Sequence, residues 1–166
     1  PCLKFVISVD SDKPGMLRFE DLKKYASKIS DEQLKEVKDS LNCHETINMQ
    51  YTSGTTGFPK GVMLSHYNIL NNGMTIGDNM LFTHKDRLLI CVPFFHCFGL
   101  VLAILACVTH GSTMVPLLYY NPTKVLQTLA AEKCTAFHGV PTMFIGLLEH
   151  PDFDKYDLSS LRTGIM

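Results

Sequence analysis

The sequence predicts an α/β fold, a largely parallel sheet with flanking helices. Three observations predict it. From Ile47 to Met166, short apolar or β-branched runs alternate with helix-length segments, the order that builds right-handed crossovers and parallel strands. The run Arg87–Val92 is apolar at every position after its arginine, as a strand covered on both faces should be. Helix starts fall where crossovers need them: Asn121 can cap a helix with Pro122 just inside it, and Pro141 opens another.

The elements follow in order. Leu3–Val9 is β-branched and aromatic and predicts a strand. Asp10–Gly15 is a polar turn closed by Pro14-Gly15. Phe19, Leu22, Tyr25 and Ala26 recur at helical spacing. Asp31–Leu41 reads as a charged helix or a solvated bridge between strands, with Ser30 and Gln33 placed for a capping box. Ile47–Tyr51 and Gly61–Leu64 are strand-like. A helix beginning at Ser65 or His66 runs towards Met80, weakened by Gly73 and Gly77. Arg87–Val92 is a strand, Phe98–Thr109 a buried helix and Ser112–Leu118 a strand. The Pro122 helix runs to about Glu132, Cys134–His138 is a short strand, and the Pro141 helix runs to about Glu149. Asp157–Leu161 is a turn or a short helix, and Arg162–Met166 begins a strand.

Leu88–Thr123 holds no Asp, Glu, Lys or Arg, which raises the question of a membrane span. Pro93, His96 and Gly99 break the run early, and His110-Gly111-Ser112 ends its helical part. Only Phe98–Val108 is uniformly apolar, about 11 residues, which as a helix reach about 16 Å. A bilayer core needs about 30 Å, so no membrane span is expected.

Between the strand-like runs Ile47–Tyr51 and Gly61–Leu64 lies Thr52-Ser53-Gly54-Thr55-Thr56-Gly57-Phe58-Pro59-Lys60. Six small residues, a phenylalanine, a proline and a lysine make a poor helix and a poor strand. They suit an anion cradle. Glycine lets the backbone approach a ligand and turn its N–H groups inward, and successive inward N–H groups form a concave anion site. Ser53, Thr55 and Thr56 add hydroxyl donors. Lys60 adds a mobile point charge, and Pro59 restricts the backbone just before it. A flexible linker would rarely sit between two strands. The common nucleotide loop G-x-x-x-x-G-K-[ST] does not fit, because its spacing fails and no Ser or Thr follows Lys60.

Tyr51–Val62 resembles the phosphate-loop signature of the adenylate-forming superfamily, which comprises acyl-CoA synthetases, peptide-synthetase adenylation domains and luciferases. Leu64-Ser65-His66-Tyr67-Asn68, Pro93-Phe94-Phe95-His96-Cys97-Phe98-Gly99 and Gly139-Val140-Pro141-Thr142-Met143-Phe144 resemble further motifs of that family, in its order. Within it the chain is most similar to bacterial fatty-acyl-CoA synthetases. The resemblance is strong from about Ile47 and weak before it. It implies one partial AMP-binding domain over residues 1–166, with 1–45 a poorly matched lead-in and 46–166 the motif-bearing core. That domain would be a piece of the large N-terminal domain of such an enzyme.

The resemblance also implies a chemistry. ATP turns a carboxylate oxygen into a leaving group, and the acyl group then passes to CoA. Thr52, Ser53, Gly54, Thr55, Thr56, Gly57 and Lys60 would hold the β- and γ-phosphates, and Mg²⁺ would arrive with ATP, held by phosphates and water. Lys60 and His96 would be catalytic, and Phe95, His96, Phe98, Val140 and Met143 would meet the acid, with Phe94 and Phe144 as further apolar walls. Each of these apolar residues is more often plain core. Spacing alone favours a core histidine bonded to a backbone carbonyl at His96, and only the motif resemblance reverses that reading. No base is needed to ionise the acid at neutral pH, so orientation and charge stabilisation are its expected roles. A peptide-synthetase or luciferase-like ligase, and a non-catalytic nucleotide-binding module, are the alternative functions.

Composition bounds the rest. The chain has 166 residues, 46% hydrophobic and 19% charged, and a formal net charge of −1, which favours a folded core and gives no reason to expect nucleic acid as a partner. The cysteines at 2, 43, 91, 97, 107 and 134 have no C-x-x-C pair; buried thiols in a reducing compartment, the cytoplasm, are expected. No histidine has metal-ligand spacing, and no resident metal is assigned. The chain opens on Pro1 without a signal peptide and closes on a strand-like Gly164-Ile165-Met166. It is therefore expected to be an internal piece, inactive alone because the family's later motifs are missing, and to self-associate through exposed sheet edges.

Overall fold

The computed structural model describes residues 3–10, 12–54 and 57–166. They fall into two units, Pro1–Asn42 and Cys43–Met166. In the first, β1 (Ile7–Ser8) pairs in parallel with β2 (Leu17–Arg18). A 3-10 helix, Phe19–Lys28, follows, and then α1, Asp31–Ser40. Ser30 caps α1 as its sequence predicts: Gln33 N–H donates to Ser30 Oγ at 3.2 Å, and Ser30 N–H donates to Gln33 Oε1 at 3.0 Å. Two expectations need correction. The strand expected over Leu3–Val9 shrinks to two residues, because no sheet in this unit covers Leu3, Phe5 and Val9, which stay exposed. Phe19–Ser27 winds as 3-10 rather than α, with Glu20–Lys23 and Asp21–Lys24 pairs at the three-residue spacing that such a helix brings into line.

The second unit carries a four-stranded sheet, all parallel, in the order β6 (Thr113–Pro116), β5 (Arg87–Ile90), β7 (Ala136–His138), β8 (Thr163–Ile165). Side chains alternate between its faces. Leu88, Ile90, Val92 and Ala136 pack towards α2 (His66–Asn79) and a helix that begins with wide π-type turns at Phe98–Leu105 and continues as α3, Ala106–His110. Leu89, Cys91 and Phe137 pack towards α4 (Pro122–Ala131) and α5 (Pro141–Leu148). The sheet is thus covered on both faces, as the apolar run Arg87–Val92 predicts. Asn121 Oδ1 accepts from Lys124 N–H at 3.0 Å, with Pro122 just inside the helix. Ser65 and Asn68 form a capping box that starts α2.

One part of the sheet departs from the parallel expectation. β3 (Thr46–Thr52) and β4 (Lys60–Ser65) form an antiparallel pair of their own, outside the four-stranded sheet. Gly73 and Gly77 are another surprise. They are buried in α2, and their missing side chains admit Leu105 and the ring of His110, so they fasten the helix rather than only weaken it. Among the described residues no helix is long and apolar enough to cross a membrane.

At the amino ends of the strands, buried Asp86 gathers four groups. Its Oδ1 accepts from Thr135 Oγ1 at 2.7 Å and from Arg162 Nε at 3.0 Å, and its Oδ2 accepts from Thr83 N–H and Oγ1. Arg162 also donates to the carbonyls of Met80 and Leu81. This cluster ties β5, β7 and β8 together at the end of the sheet away from Phe95 and His96.

Candidate active site

The small-residue loop is the connection of the β3–β4 hairpin. Gly54 and Gly57 take positive φ, +62° and +87°, which ordinary residues avoid. A Cβ on Gly54 would lie 2.5 Å from the carbonyl oxygen of Phe58 and 3.7 Å from Lys60 Cγ, so the loop folds back on itself and rests the lysine stem against its first glycine. Thr55 and Thr56 lie outside the described residues. Ser53 and Lys60 are exposed, and Lys60 makes no ion pair among the described residues.

The hairpin register puts Thr52 opposite Lys60 and Gln50 opposite Val62, so Asn48, Gln50, Thr52 and Lys60 share one face. On β3 this polar face, at Asn48 and Gln50, is the half-buried one, while Ile47, Met49 and Tyr51 face outward. Gln50 explains the inversion. Its Nε2 donates to Asn48 Oδ1 at 3.0 Å and to the carbonyl of Phe95 at 3.3 Å. The strand that leads into the loop is therefore tied to the turn that carries His96, with Lys60 on the tied face.

That turn leaves the carboxyl end of β5, where ligands of open α/β sheets collect. His96 N–H donates to the Pro93 carbonyl at 3.2 Å, and the His96 carbonyl accepts from Leu100 N–H at 2.9 Å. The side chain is exposed, and its Nδ1 accepts from Phe98 N–H at 3.1 Å. A backbone N–H can only donate, so Nδ1 has no proton and the neutral ring carries it on Nε2. His96 thus presents an outward donor, which suits holding a carboxylate and does not suit taking a proton from it. The core-histidine alternative fails on exposure.

The predicted apolar walls do not line one cavity. A cleft of about 780 Å³ at the carboxyl ends of β5 and β6 is lined by Cys91–Phe95, Pro116–Tyr120 and Met143; it takes in Phe94, Phe95 and Met143. Tyr120 closes one side, its hydroxyl donating to the Met143 carbonyl at 2.7 Å. Phe98 lies on the opposite face of the sheet, packed beside the π-type turns. Val140 stands exposed at the cap position of α5. Phe144 packs against Phe137, ring centres 5.0 Å apart, and belongs to the core.

Sequence reasoning missed two residues here. Gln50 was signalled by the alternation of β3, in which Asn48, Gln50 and Thr52 form a polar row. His138 was signalled as the polar end of an apolar run. It is fully buried, donates from Nε2 to the Leu102 carbonyl at 3.1 Å, and lies flat on Phe98 with centroids 5.8 Å apart and planes 19° apart. Burial pushes its pKa below the usual 6.5, outweighing the Leu102 and Phe137 carbonyls that favour the charged form. The thiols behave as expected of buried cysteines: burial pushes Cys91 and Cys134 up to about 11 and Cys107 up to about 12, and the described cysteines are all free. Among the described residues no three His, Cys, Asp or Glu side chains gather where they could hold a metal.

The AMP-binding enzyme family matches residues 2–166. A protein of Bacillus subtilis strain 168, YngI, provisionally named an acyl-CoA synthetase, is 54% identical over all of this chain and 30% of its own length. The human medium-chain acyl-CoA ligase ACSF2, a mitochondrial protein, is 38% identical over all of this chain and 28% of its own length. The chain thus spans less than a third of these relatives. Among solved structures, the anthranilate CoA ligase AuaEII with anthranoyl-AMP superposes over 99% of this chain and 31% of its own, with a TM-score of 0.77 at 25% identity. ATP-bound MatB from Rhodopseudomonas palustris superposes over 75% of this chain and 24% of its own, with a TM-score of 0.68 at 33% identity. The fold and loop just described, and the match over nearly the whole length, place this chain in the AMP-binding enzyme family.

Proposed function

We propose that the protein containing this chain is an AMP-forming acid–thiol ligase that activates a fatty or related carboxylic acid with ATP and passes the acyl group to CoA. The observation that carries the proposal is the hairpin loop, with its folded-back Gly54, exposed Ser53 hydroxyl and a Lys60 that makes no ion pair among the described residues, tied through Gln50 to the turn that presents His96. The ligase names of the relatives support the reaction class, and the medium-chain name of ACSF2 supports an aliphatic acid.

In the first step a carboxylate oxygen attacks the α-phosphorus of ATP, the bond to the β-phosphate oxygen breaks, and pyrophosphate leaves. In the second, the CoA sulfur attacks the acyl carbonyl, AMP leaves, and the thiol proton passes to solvent or base. Loop N–H groups, the Ser53, Thr55 and Thr56 hydroxyls and Lys60 neutralise charge on the departing pyrophosphate. His96 Nε2–H orients the carboxylate, and Phe94, Phe95 and Met143, which line the cleft, supply apolar surface. Mg²⁺ would enter with ATP, held chiefly by its phosphates and water, and would help neutralise charge on the pyrophosphate.

The chain alone is proposed to be inactive, because it spans under a third of the ligases it matches. A cytoplasmic setting is supported by the free buried thiols and the bacterial relative. The test is a panel of carboxylic acids with ATP and CoA on the full-length protein, read as pyrophosphate release and acyl-CoA formation. Acid-dependent formation of both is expected, and Lys60→Ala should slow it at least tenfold. No product from any acid, or a K60A enzyme as fast as the parent, overturns the proposal.

A further inference from the structure

His138 has no part in the chemistry above, yet its environment is costly. Its Nε2 faces the Leu102 carbonyl, which can only accept, so the ring is the Nε2–H tautomer. Nδ1 is then a buried acceptor, and among the described residues it has no hydrogen-bond partner. An orphaned acceptor destabilises the fold, and phenylalanine in its place would avoid that penalty. Stability therefore does not account for an imidazole here. What phenylalanine could not do is donate to Leu102.

Leu102 lies in the middle of the π-type turns, Phe98–Leu105. Such wide turns are rare and concentrate at functional sites. Phe98 opens the segment and rests flat on the His138 ring. Its own N–H fixes the tautomer of His96. One buried side chain, at the carboxyl end of β7, thus touches the helix segment at Leu102 and at Phe98, and Phe98 holds His96.

We infer that His138 is a positioning residue for the acid site: its bond to Leu102 keeps the wide helical turn wound so that Phe98 N–H holds the outward Nε2–H of His96 aimed at the carboxylate. The inference rests on the proposed ligase function. Because β3 and the phosphate loop meet the turn through Phe95 rather than through Leu102, the effect falls on the acid and spares ATP.

The test uses the full-length protein with initial rates of acyl-CoA formation at varied acid and varied ATP. His138→Phe keeps an aromatic ring and loses the donor; His138→Gln keeps a donor of similar reach and loses the ring. For H138F the ratio of acid KM to ATP KM should rise at least threefold, with a thermal midpoint no lower than that of the parent. H138Q should return the ratio to within twofold. A ratio that rises less than threefold in an active H138F enzyme overturns the inference alone, as does a rise that H138Q fails to reverse. Should H138F not fold, His138→Leu, smaller and also without a donor, is judged by the same threshold. A parent enzyme that makes no acyl-CoA from any acid overturns the ligase function and this inference with it.

Discussion

Substituting Gly54 tests the loop geometry most sharply, because a neighbouring glycine supplies the control. Gly54→Ala forces alanine to φ +62° and sets its Cβ 2.5 Å from the Phe58 carbonyl oxygen. The left-handed backbone costs about 1–2 kcal/mol for a residue with a Cβ. The clash is with backbone, so no side chain can swing away, and the loop must open by about 0.9 Å to reach an ordinary contact of 3.4 Å, adding about 1 kcal/mol of strain. A loop opened in the free protein has to close again around a triphosphate, so about 2–3 kcal/mol should appear as binding energy lost. That corresponds to roughly 30- to 150-fold weaker affinity. Gly57→Ala meets the same backbone problem at φ +87° with no atom within 4 Å. It should lose only the backbone cost of about 1–2 kcal/mol, roughly 5- to 30-fold. The assay is calorimetric titration of the full-length proteins with a non-hydrolysable ATP analogue and Mg²⁺. A G54A protein that binds within twofold of the parent, or a G57A protein that binds more weakly than G54A, would refute the reasoning.

Three further outcomes follow from the same structure. Asp86→Ala leaves Arg162 without its carboxylate and Thr83 N–H without its acceptor, and should destabilise the protein by about 3–5 kcal/mol in urea unfolding at neutral pH. Burial raises the Asp86 pKa, but the bonds from Thr135, Thr83 and Arg162 outweigh it and hold the carboxyl below its usual 3.8. The unfolded chain then binds the proton first, so this stabilisation is complete above about pH 3.8 and fades as pH falls through the folded value; D86A should lack that acid-side loss. His138 has the opposite charge type and also a lowered pKa, so the unfolded chain protonates first below 6.5 and stability falls with pH there, by at most about 1.4 kcal/mol per pH unit; in H138F that slope should vanish, and an unchanged slope would show that His138 is not buried neutral. The isolated chain exposes β6 and β8 as sheet edges, and light scattering at high concentration should find oligomers, whereas a strict monomer would refute edge pairing.

Local signals were legible and long-range ones were not. The capping box at Ser30, the Asn121 cap, the helix start at Ser65 or His66 and the proline helix starts are written within a few residues, and they formed where expected. The loop at Thr52–Lys60 could be located from its small residues, and its hairpin placement follows from the strand-like runs around it. That this pair stands apart from the four-stranded sheet was missed, because strands that alternate with helices elsewhere in the chain imply one largely parallel sheet. The inward polar face of β3 was missed because alternation says that two faces differ, not which is buried; only the bond from Gln50 to Phe95, far along the chain, decides it. Gly73 and Gly77 count against a helix by propensity, and their value shows only once Leu105 and His110 are brought alongside. The π-type winding of Phe98–Leu105 leaves no compositional mark, so the role of His138 beneath it could not be read from spacing.

Hydrogen–deuterium exchange of the full-length protein, with and without ATP and Mg²⁺, tests the central claim most directly. The account predicts that the peptide spanning Thr52–Gly61 becomes protected when nucleotide is added, and that Lys60→Ala weakens that protection. Exchange in that peptide that is the same with and without nucleotide, in a protein shown to bind ATP, would contradict it.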